Sequence, residues 1–346
     1  MEDVLFERRG RGGLITLNRP KALNALTLDM VRAMRVQLDA WRDDRGVELV
    51  IIRGAGDRAF CAGGDIRVLY ESGKSGNPYA IDFYSYEYKL NTVIKRYPKP
   101  YIALINGIAM GGGVGVSVHG RYRVAGEGCV FAMPETGIGL FPDVGGTYFL
   151  PRMPGETGMY VALTGARLNV VDCFAMGIAT HMVPAPQHEA LTQSLCTDDG
   201  PLEHILTRAA VRPSEQSRVV GLRPWIDRHF IATSVEEILR SLASDKSLFA
   251  SETLKMLQTK SPTSLKIAYR QIREGAKRSF EECMRLEFRL TNRFMRGQDF
   301  YEGVRALIVD KDQAPKWNPS RLEDVSNAAI DAYFAPLPAG DLELGA

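Results

Sequence analysis

The chain has 346 residues, 45% hydrophobic and 24% charged, with a formal net charge of +2. That length suits one large domain with an appendage, or two ordinary domains, and the composition is that of a globular enzyme. The near-neutral balance and the lack of long like-charge runs exclude a general attraction to nucleic acid, and no uniform apolar run is long enough to span a bilayer.

Five scattered cysteines, Cys61, Cys129, Cys173, Cys196 and Cys283, form no CxxC pair, so they read as buried free thiols rather than a disulfide framework or a metal site. The five histidines show no metal-like spacing, and no metal or other cofactor is expected. The opening Met1-Glu2-Asp3-Val4-Leu5-Phe6 has no signal-peptide core or Arg-rich leader, which reads as a cytoplasmic chain or a mature organellar form.

In chain order, Val4 to Leu17 alternates through Gly12-Gly13 and reads as a hairpin. Thr27 to Asp43 carries Leu28, Val31, Met34, Leu38 and Trp41 at helical spacing. Val47 to Gly54 reads as a buried strand, and Ala80 to Tyr97 as a helix ended by Pro98 and Pro100. Tyr101 to Ile105 is a strand, Met110 to His119 a small-residue helix, and Arg121 to Ala125 and Val130 to Ala132 are short strands. Gly155 to Gly165 is helical before it turns, and Ala175 to Val183 holds a short helix and a strand. Beyond Pro201 the pattern is almost wholly helical, with Val235–Leu242, Ala250–Thr259, Ser261–Gly275 and Ser279–Met295 as candidates. Alternating strands and helices predict an α/β core over residues 1–200, followed by a mainly helical region over 201–346.

Three segments carry candidate chemistry. In Ala62-Gly63-Gly64-Asp65 the glycines permit positive φ and close approach of a ligand to the backbone, although an ordinary strand-exit turn needs the same residues. Gly111-Gly112-Gly113 opens an apolar stretch and leaves amides at a helix start, a place suited to an oxyanion; close helix packing explains the same glycines. The third segment runs from Met133-Pro134-Glu135 to Pro142-Asp143, where two carboxylates bracket the apolar turn Ile138 to Phe141. Burial there raises a carboxyl pKa into the range useful for proton transfer. Glu87, on the Ala80–Tyr97 helix, reads by itself as part of a solvated face. No GxSxG is present, GxGxxG does not fit, and Ser72-Gly73-Lys74-Ser75 lacks the first glycine of a P-loop.

These three ordered motifs make the chain resemble the crotonase (enoyl-CoA hydratase/isomerase) superfamily, from Leu14-Ile15-Thr16-Leu17-Asn18-Arg19-Pro20 to Glu302-Gly303-Val304-Arg305-Ala306. The resemblance implies a crotonase-like ββα superhelix (spiral) core with a C-terminal helical region. It implies an acyl-CoA thioester substrate, with Gly64 and Gly112 as the two oxyanion amides. Hydratases of the family carry a glutamate just after the glycine triplet and a second after a proline; here the first position is Gly115 and the second Glu135. With Phe141-Pro142-Asp143-Val144-Gly145-Gly146, this departure is most similar to the 3-hydroxyisobutyryl-CoA hydrolase branch, in which positions matching Glu87, Gly112, Glu135 and Asp143 line the pocket.

The resemblance implies thioester hydrolysis in valine degradation, with Glu135 as nucleophile or general base and Asp143 binding the substrate hydroxyl or assisting proton transfer. Ala62 and Asp65 flank the first oxyanion position. Arg19, Lys21 and Lys311 are candidates for the CoA phosphates, and assembly as a trimer or hexamer is the family's habit. The rival readings are an isomerase or dehydratase on the same fold, with Glu135 shuttling an α-proton, and a non-catalytic CoA-binding or RNA-associated paralogue.

Overall fold

Val50, Ile51 and Ile52, and then the run Tyr101 to Ile105, are buried without alternation, as expected of strands covered on both faces. The computed structural model describes residues 2–345 and places both runs inside a parallel sheet. Its strands are β1 (Val4–Arg9), β2 (Gly12–Leu17), β3 (Leu49–Gly54), β5 (Tyr101–Ile105), β7 (Tyr122–Ala125) and β10 (His181–Met182), side by side in that order. A smaller sheet orders β4 (Ala59–Cys61), β6 (Ile108–Met110), β8 (Val130–Ala132) and β9 (Leu168–Asn169). In the larger sheet only the edge pair β1–β2 is antiparallel, and the remaining strands are joined by crossovers, which is the α/β layering expected from the alternation.

The chain divides into two compact units built from interleaved segments. The first takes the segment ending at Gly64, then Lys89–Phe131 and Arg167–Val220. The second takes Asp65–Tyr88, Ala132–Ala166 and the segment from Gly221 onward. Beyond Pro201 every regular element among the described residues is helical, so the helical region contributes to both units.

In the first unit, Leu14, Ile51, Ile102 and Val124 form one core cluster with Leu191 and Leu195 of the helix His188–Thr197 and Leu206 of the helix Leu202–Ala209. The helix Leu28–Asp43 buries Leu28, Val31, Met34, Leu38 and Trp41, and Thr27 caps it by accepting the Met30 amide. The β1–β2 hairpin turns at Gly10-Arg11, where Gly10 has φ +53°, rather than at Gly12-Gly13. Those two glycines serve packing: a Cβ on Gly12 meets the Cys196 Sγ at 2.5 Å, and one on Gly13 meets the Trp41 ring at 2.7 Å. The helix expected over Met110–His119 shrinks to Gly112–Gly115. Beyond it, one i−4 bond remains, from the Val118 amide to Val114 O, while Ser117 and Gly120 take up i−3 bonds and Ser117 Oγ bonds back to Gly113 O, so the regular ladder gives way to turns. Within Ala175–Val183, the helix lies earlier, at Val170–Ala175, set by an Asn169/Asp172 capping box.

In the second unit, the helix Pro262–Gly275 packs on Thr157–Thr164 and Gly146–Phe149. Ser261 caps it and Pro262 occupies the first turn, where no amide is needed. The helix Phe280–Phe294 begins with a Ser279/Glu282 capping box. Gly73, from the P-loop-like Ser-Gly-Lys-Ser, lies in the helix Ile66–Lys74 against Tyr301. All five cysteines are buried and free, as their spacing predicts. Among the described residues no helix is long and apolar enough to cross a membrane.

Candidate active site

Two groups of site residues form, one in each unit. In the first unit the segment after β4 is held by Leu23 and Leu26: the Ala62 amide donates to Leu23 O at 3.0 Å, and the Leu26 amide to Gly63 O at 2.8 Å. Gly63 has φ +116°, a conformation that L side chains rarely adopt. A Cβ there lies 3.4 Å from Met110 O and 3.7 Å from the Gly112 amide nitrogen. The two glycine segments are therefore neighbours, and it is the positive φ at Gly63 rather than crowding that disfavours a side chain there. Gly111 turns with φ +48° into the single helical turn Gly112–Gly115, and Gly113 packs on the Cys61 carbonyl. Of the triplet, Gly113 is needed for close packing, and Gly112 begins the helical turn. Among the described residues, no hydrogen bond within the chain uses the Gly64 or Gly112 amide.

The loop carrying Arg19 and Lys21 belongs to the same unit. Its anchor is Asn24, fully buried at φ +56°. The Asn24 side-chain amide donates to Ala55 O and Ala59 O, both at 2.9 Å, and its oxygen accepts the Arg19 amide at 2.9 Å. Arg19 donates to Ala25 O at 2.7 Å and pairs with Asp3 at 3.6 Å, whereas Lys21 is exposed. Cys61 is a core thiol whose Sγ lies 3.6 Å from Gly63 O.

The second unit gathers acids. Glu87, Glu135, Asp143 and Glu287 are 2%, 5%, 4% and 0% exposed. The first comes from the helix Tyr79–Lys95, the second from the turn Glu135–Ile138 after β8, the third from the loop beyond it, and the last from the helix Phe280–Phe294. Glu87 is thus buried rather than solvated. Burial, and then the charge of Asp143, pushes the Glu87 and Glu135 carboxyls well above the ordinary carboxylate range. Burial raises Asp143 to about 7 against the lowering effect of a bond from Tyr88, and raises Glu287 to about 8 against bonds from the 145–147 backbone. Four such acids cannot all ionise together at neutral pH.

Their partners differ in kind. The Tyr88 hydroxyl donates to Asp143 Oδ2 at 2.7 Å and lies 2.7 Å from Thr291 Oγ1. Glu287 accepts the Gly145 and Thr147 amides at 2.8 and 2.9 Å. Gln271 donates to Pro142 O and Thr147 Oγ1, completing the frame of the Asp143 loop. By contrast Glu87 Oε1, Glu135 Oε2 and the Tyr84 hydroxyl are buried with no partner among the described residues. Unpaired buried polar atoms are costly, and three of them stand in this one acidic cluster.

Lys260 adds a cation that acts on Glu135: burial lowers the Lys260 pKa below its ordinary value, and the Glu135 charge opposes that. Asp65 opens the helix Ile66–Lys74 without a side-chain cap, and Lys311 is exposed at φ +59°. Both belong to the second unit, while Ala62, Gly64, Gly112, Arg19 and Lys21 belong to the first. Tyr84, Tyr88, Lys260, Glu287 and Thr291 were not singled out from sequence; each sits in or beside a helix, with no local signature separating it from core or surface. Among the described residues no group of three or more His, Cys, Asp or Glu side chains is arranged to hold a metal ion.

The family model described as enoyl-CoA hydratase/isomerase matches residues 12–334. The mitochondrial 3-hydroxyisobutyryl-CoA hydrolase of Danio rerio is 51% identical over 99% of this chain and 92% of its own length. The Homo sapiens protein of the same name is 47% identical over 99% of this chain and 91% of its own. Among solved structures, a carnitinyl-CoA dehydratase from Mycobacterium thermoresistibile superposes with a TM-score of 0.94 at 41% identity, covering 98% of both chains. An enoyl-CoA hydratase from Rhodobacter sphaeroides gives a TM-score of 0.92 at 40% identity over 99% of this chain and 100% of its own.

Proposed function

The chain belongs to the enoyl-CoA hydratase/isomerase family, and from that membership we propose that it hydrolyses the thioester of 3-hydroxyisobutyryl-CoA, giving 3-hydroxyisobutyrate and free CoA in valine degradation. One observation carries the reading. Position 115 is glycine, so Glu135, buried and with one oxygen unpaired, lacks the second glutamate with which a hydratase would add water across a double bond. The full-length likeness to proteins named as this hydrolase points the same way.

In this reading the Gly64 and Gly112 amides polarise the thioester carbonyl as charge develops on its oxygen. Glu135 supplies the carboxylate, either attacking the carbonyl carbon to give a mixed anhydride that water then opens, or taking a proton from the attacking water. The sulfur leaves with the bonding pair and is protonated to the thiol. Asp143 holds the substrate hydroxyl, and Glu87 lines the polar pocket. Ala62 and Asp65 flank the first amide, and Arg19, Lys21 and Lys311 serve the CoA phosphates. The reaction as written needs no metal or further cofactor, and trimeric or hexameric assembly is part of the same reading.

The solved structures named dehydratase and hydratase give the competing reading, proton movement on the acyl chain without cleavage. Thiol release from (S)-3-hydroxyisobutyryl-CoA, followed beside crotonyl-CoA, separates the two. Release from the first with no hydration of the second is expected. Hydration or double-bond migration without free thiol overturns the hydrolase reading.

A further inference from the structure

The helix Phe280–Phe294 carries Glu287 and Thr291 one helical turn apart, hence on one face. Both side chains are buried, and both are committed to the surroundings of Asp143: Glu287 through the 145–147 backbone, Thr291 through the Tyr88 hydroxyl. A count of protons fixes the direction of the second route. A phenol carries one proton, and an ionised carboxylate only accepts. With Asp143 ionised, the Tyr88 proton goes to Asp143 Oδ2, and the Thr291 hydroxyl donates to the Tyr88 oxygen. The chain Thr291 to Tyr88 to Asp143 then runs one way and ends on a negative charge. Such charge-assisted bonds are the strong ones, more so in a dry interior.

The need for this bond is visible in what else faces Asp143. Tyr84, Glu87 and Tyr88 face it from their helix, Glu135 from the turn after β8, and Glu287 from Phe280–Phe294, and the Asp143 charge disfavours ionisation of all five. Lys260 acts on Glu135. The Tyr88 hydroxyl is the side-chain bond that lowers the Asp143 pKa.

We propose that Tyr88 is a positioning residue: held by Thr291, its hydroxyl fixes the Asp143 carboxyl in place and favours that carboxyl's ionised form. Its consequence for turnover rests on the reading of Asp143 as the group that meets the substrate hydroxyl; its consequence for the titration of Asp143 does not.

The experiment follows the Asp143 carboxyl by ¹³C NMR in the full chain with labelled aspartate, its resonance identified by its loss in Asp143→Asn. Tyr88→Phe is expected to move the titration midpoint up by about one pH unit, the size of a lost charge-assisted hydrogen bond. Thr291→Val should move it in the same direction by less, and Thr291→Ser, which keeps the hydroxyl, should restore it. In thiol release, kcat/KM for the hydroxylated thioester should fall about tenfold in Tyr88→Phe. The pH limb of the wild type should shift with the NMR midpoint. An unchanged midpoint in Tyr88→Phe overturns the inference, even where activity falls, because a merely structural loss does not retitrate Asp143. If Tyr88→Phe does not fold, the Thr291→Val midpoint decides in the same way. A wild type that titrates as described but releases no thiol defeats the hydrolase reading and leaves this inference standing.

Discussion

The fully buried Glu287 carboxylate accepts the Gly145 amide at 2.8 Å, from 142 residues further along the chain. Its other oxygen takes the Thr147 amide at 2.9 Å. Val144 and Gly145 both have left-handed backbone, at φ +49° and +90°, and for β-branched Val144 that conformation is strained. The loop next to Asp143 is thus held by a remote side chain doing the work of a helix cap. Glu287→Gln keeps the shape but sets an amide donor against one of the two backbone donors. It should cost about 1–3 kcal/mol, the scale of an unsatisfied buried group. Urea unfolding measures it, and a variant as stable as the wild type removes Glu287 from this role.

The same burial predicts how stability depends on pH. Glu287 is raised from 4.5 to about 8 and Asp143 from 3.8 to about 7. Between the unfolded and folded values the native state holds more protons than the unfolded chain. Stability is therefore fully present below the lower value and is lost as pH rises through the upper one. Surface carboxylates with lowered values, such as Glu189 beside Arg9 and Arg53, act in the opposite sense and lose their contribution on acidification below their ordinary range. Tm should fall as pH rises from about 6 to about 8.5, and fall less in Glu287→Gln. Calorimetry across that range checks both, and a Tm that climbs with pH contradicts the account.

Asn24 organises the loop before Leu26 by three bonds from a position with no solvent exposure. Asn tolerates its left-handed backbone better than most residues, and Leu23 beside it shares that conformation at φ +52°. Asn24→Ala leaves Ala55 O, Ala59 O and the Arg19 amide without this partner, and about 2–4 kcal/mol of stability should be lost. Because Ala62 hangs from Leu23 O, the loss should also raise KM for acyl-CoA substrates. Steady-state kinetics on a variant still folded at low temperature tests that, and an unchanged KM separates the loop from the first glycine turn.

Much of this was legible beforehand, for a physical reason. Glycine turns and a Pro-Glu segment announce themselves because only certain residues tolerate such backbone, so Gly63, the Gly111–Gly113 triplet and the segment holding Glu135 and Asp143 stood out by type and spacing. The burial of Glu87 did not, since a glutamate on a helix looks the same whether it faces water or a cluster of acids. Tyr88, Thr291 and Glu287 were hidden because their partners are far away in sequence; Tyr88 and Thr291 alone are separated by 203 positions. Gly12 and Gly13 misled for the converse reason. Glycine also serves where a neighbouring Trp41 ring or Cys196 sulfur leaves no room for a Cβ, and periodicity does not distinguish that need from a turn.

Glu135→Gln separates the chemistry from binding. The amide keeps the size of the side chain and removes its basicity, so turnover should fall about a hundredfold to ten-thousandfold while CoA affinity holds. Asp143→Asn should reduce kcat/KM more for 3-hydroxyisobutyryl-CoA than for isobutyryl-CoA, because only the first offers a hydroxyl. Equal losses on both thioesters would remove the hydroxyl role, and near-normal turnover in Glu135→Gln would remove the catalytic one.

Tyr84 and Tyr88 share a helix and stand with ring centroids 5.9 Å apart, yet their hydroxyls live differently. That of Tyr88 is bonded to Asp143 and Thr291, whereas that of Tyr84 is buried with no partner among the described residues. Removing an unpaired buried hydroxyl relieves a desolvation penalty instead of breaking a bond. Tyr84→Phe should therefore leave stability unchanged or raise it by about 1 kcal/mol, while Tyr88→Phe lowers it by a similar amount. If the Tyr84 hydroxyl is completed by substrate, the same variant should lose kcat/KM despite its intact fold. Chemical denaturation of the two variants side by side, with thiol release on each, reads both effects. A destabilised Tyr84→Phe would mean that its hydroxyl already has a partner, and an active, stable one would place it outside the substrate's reach.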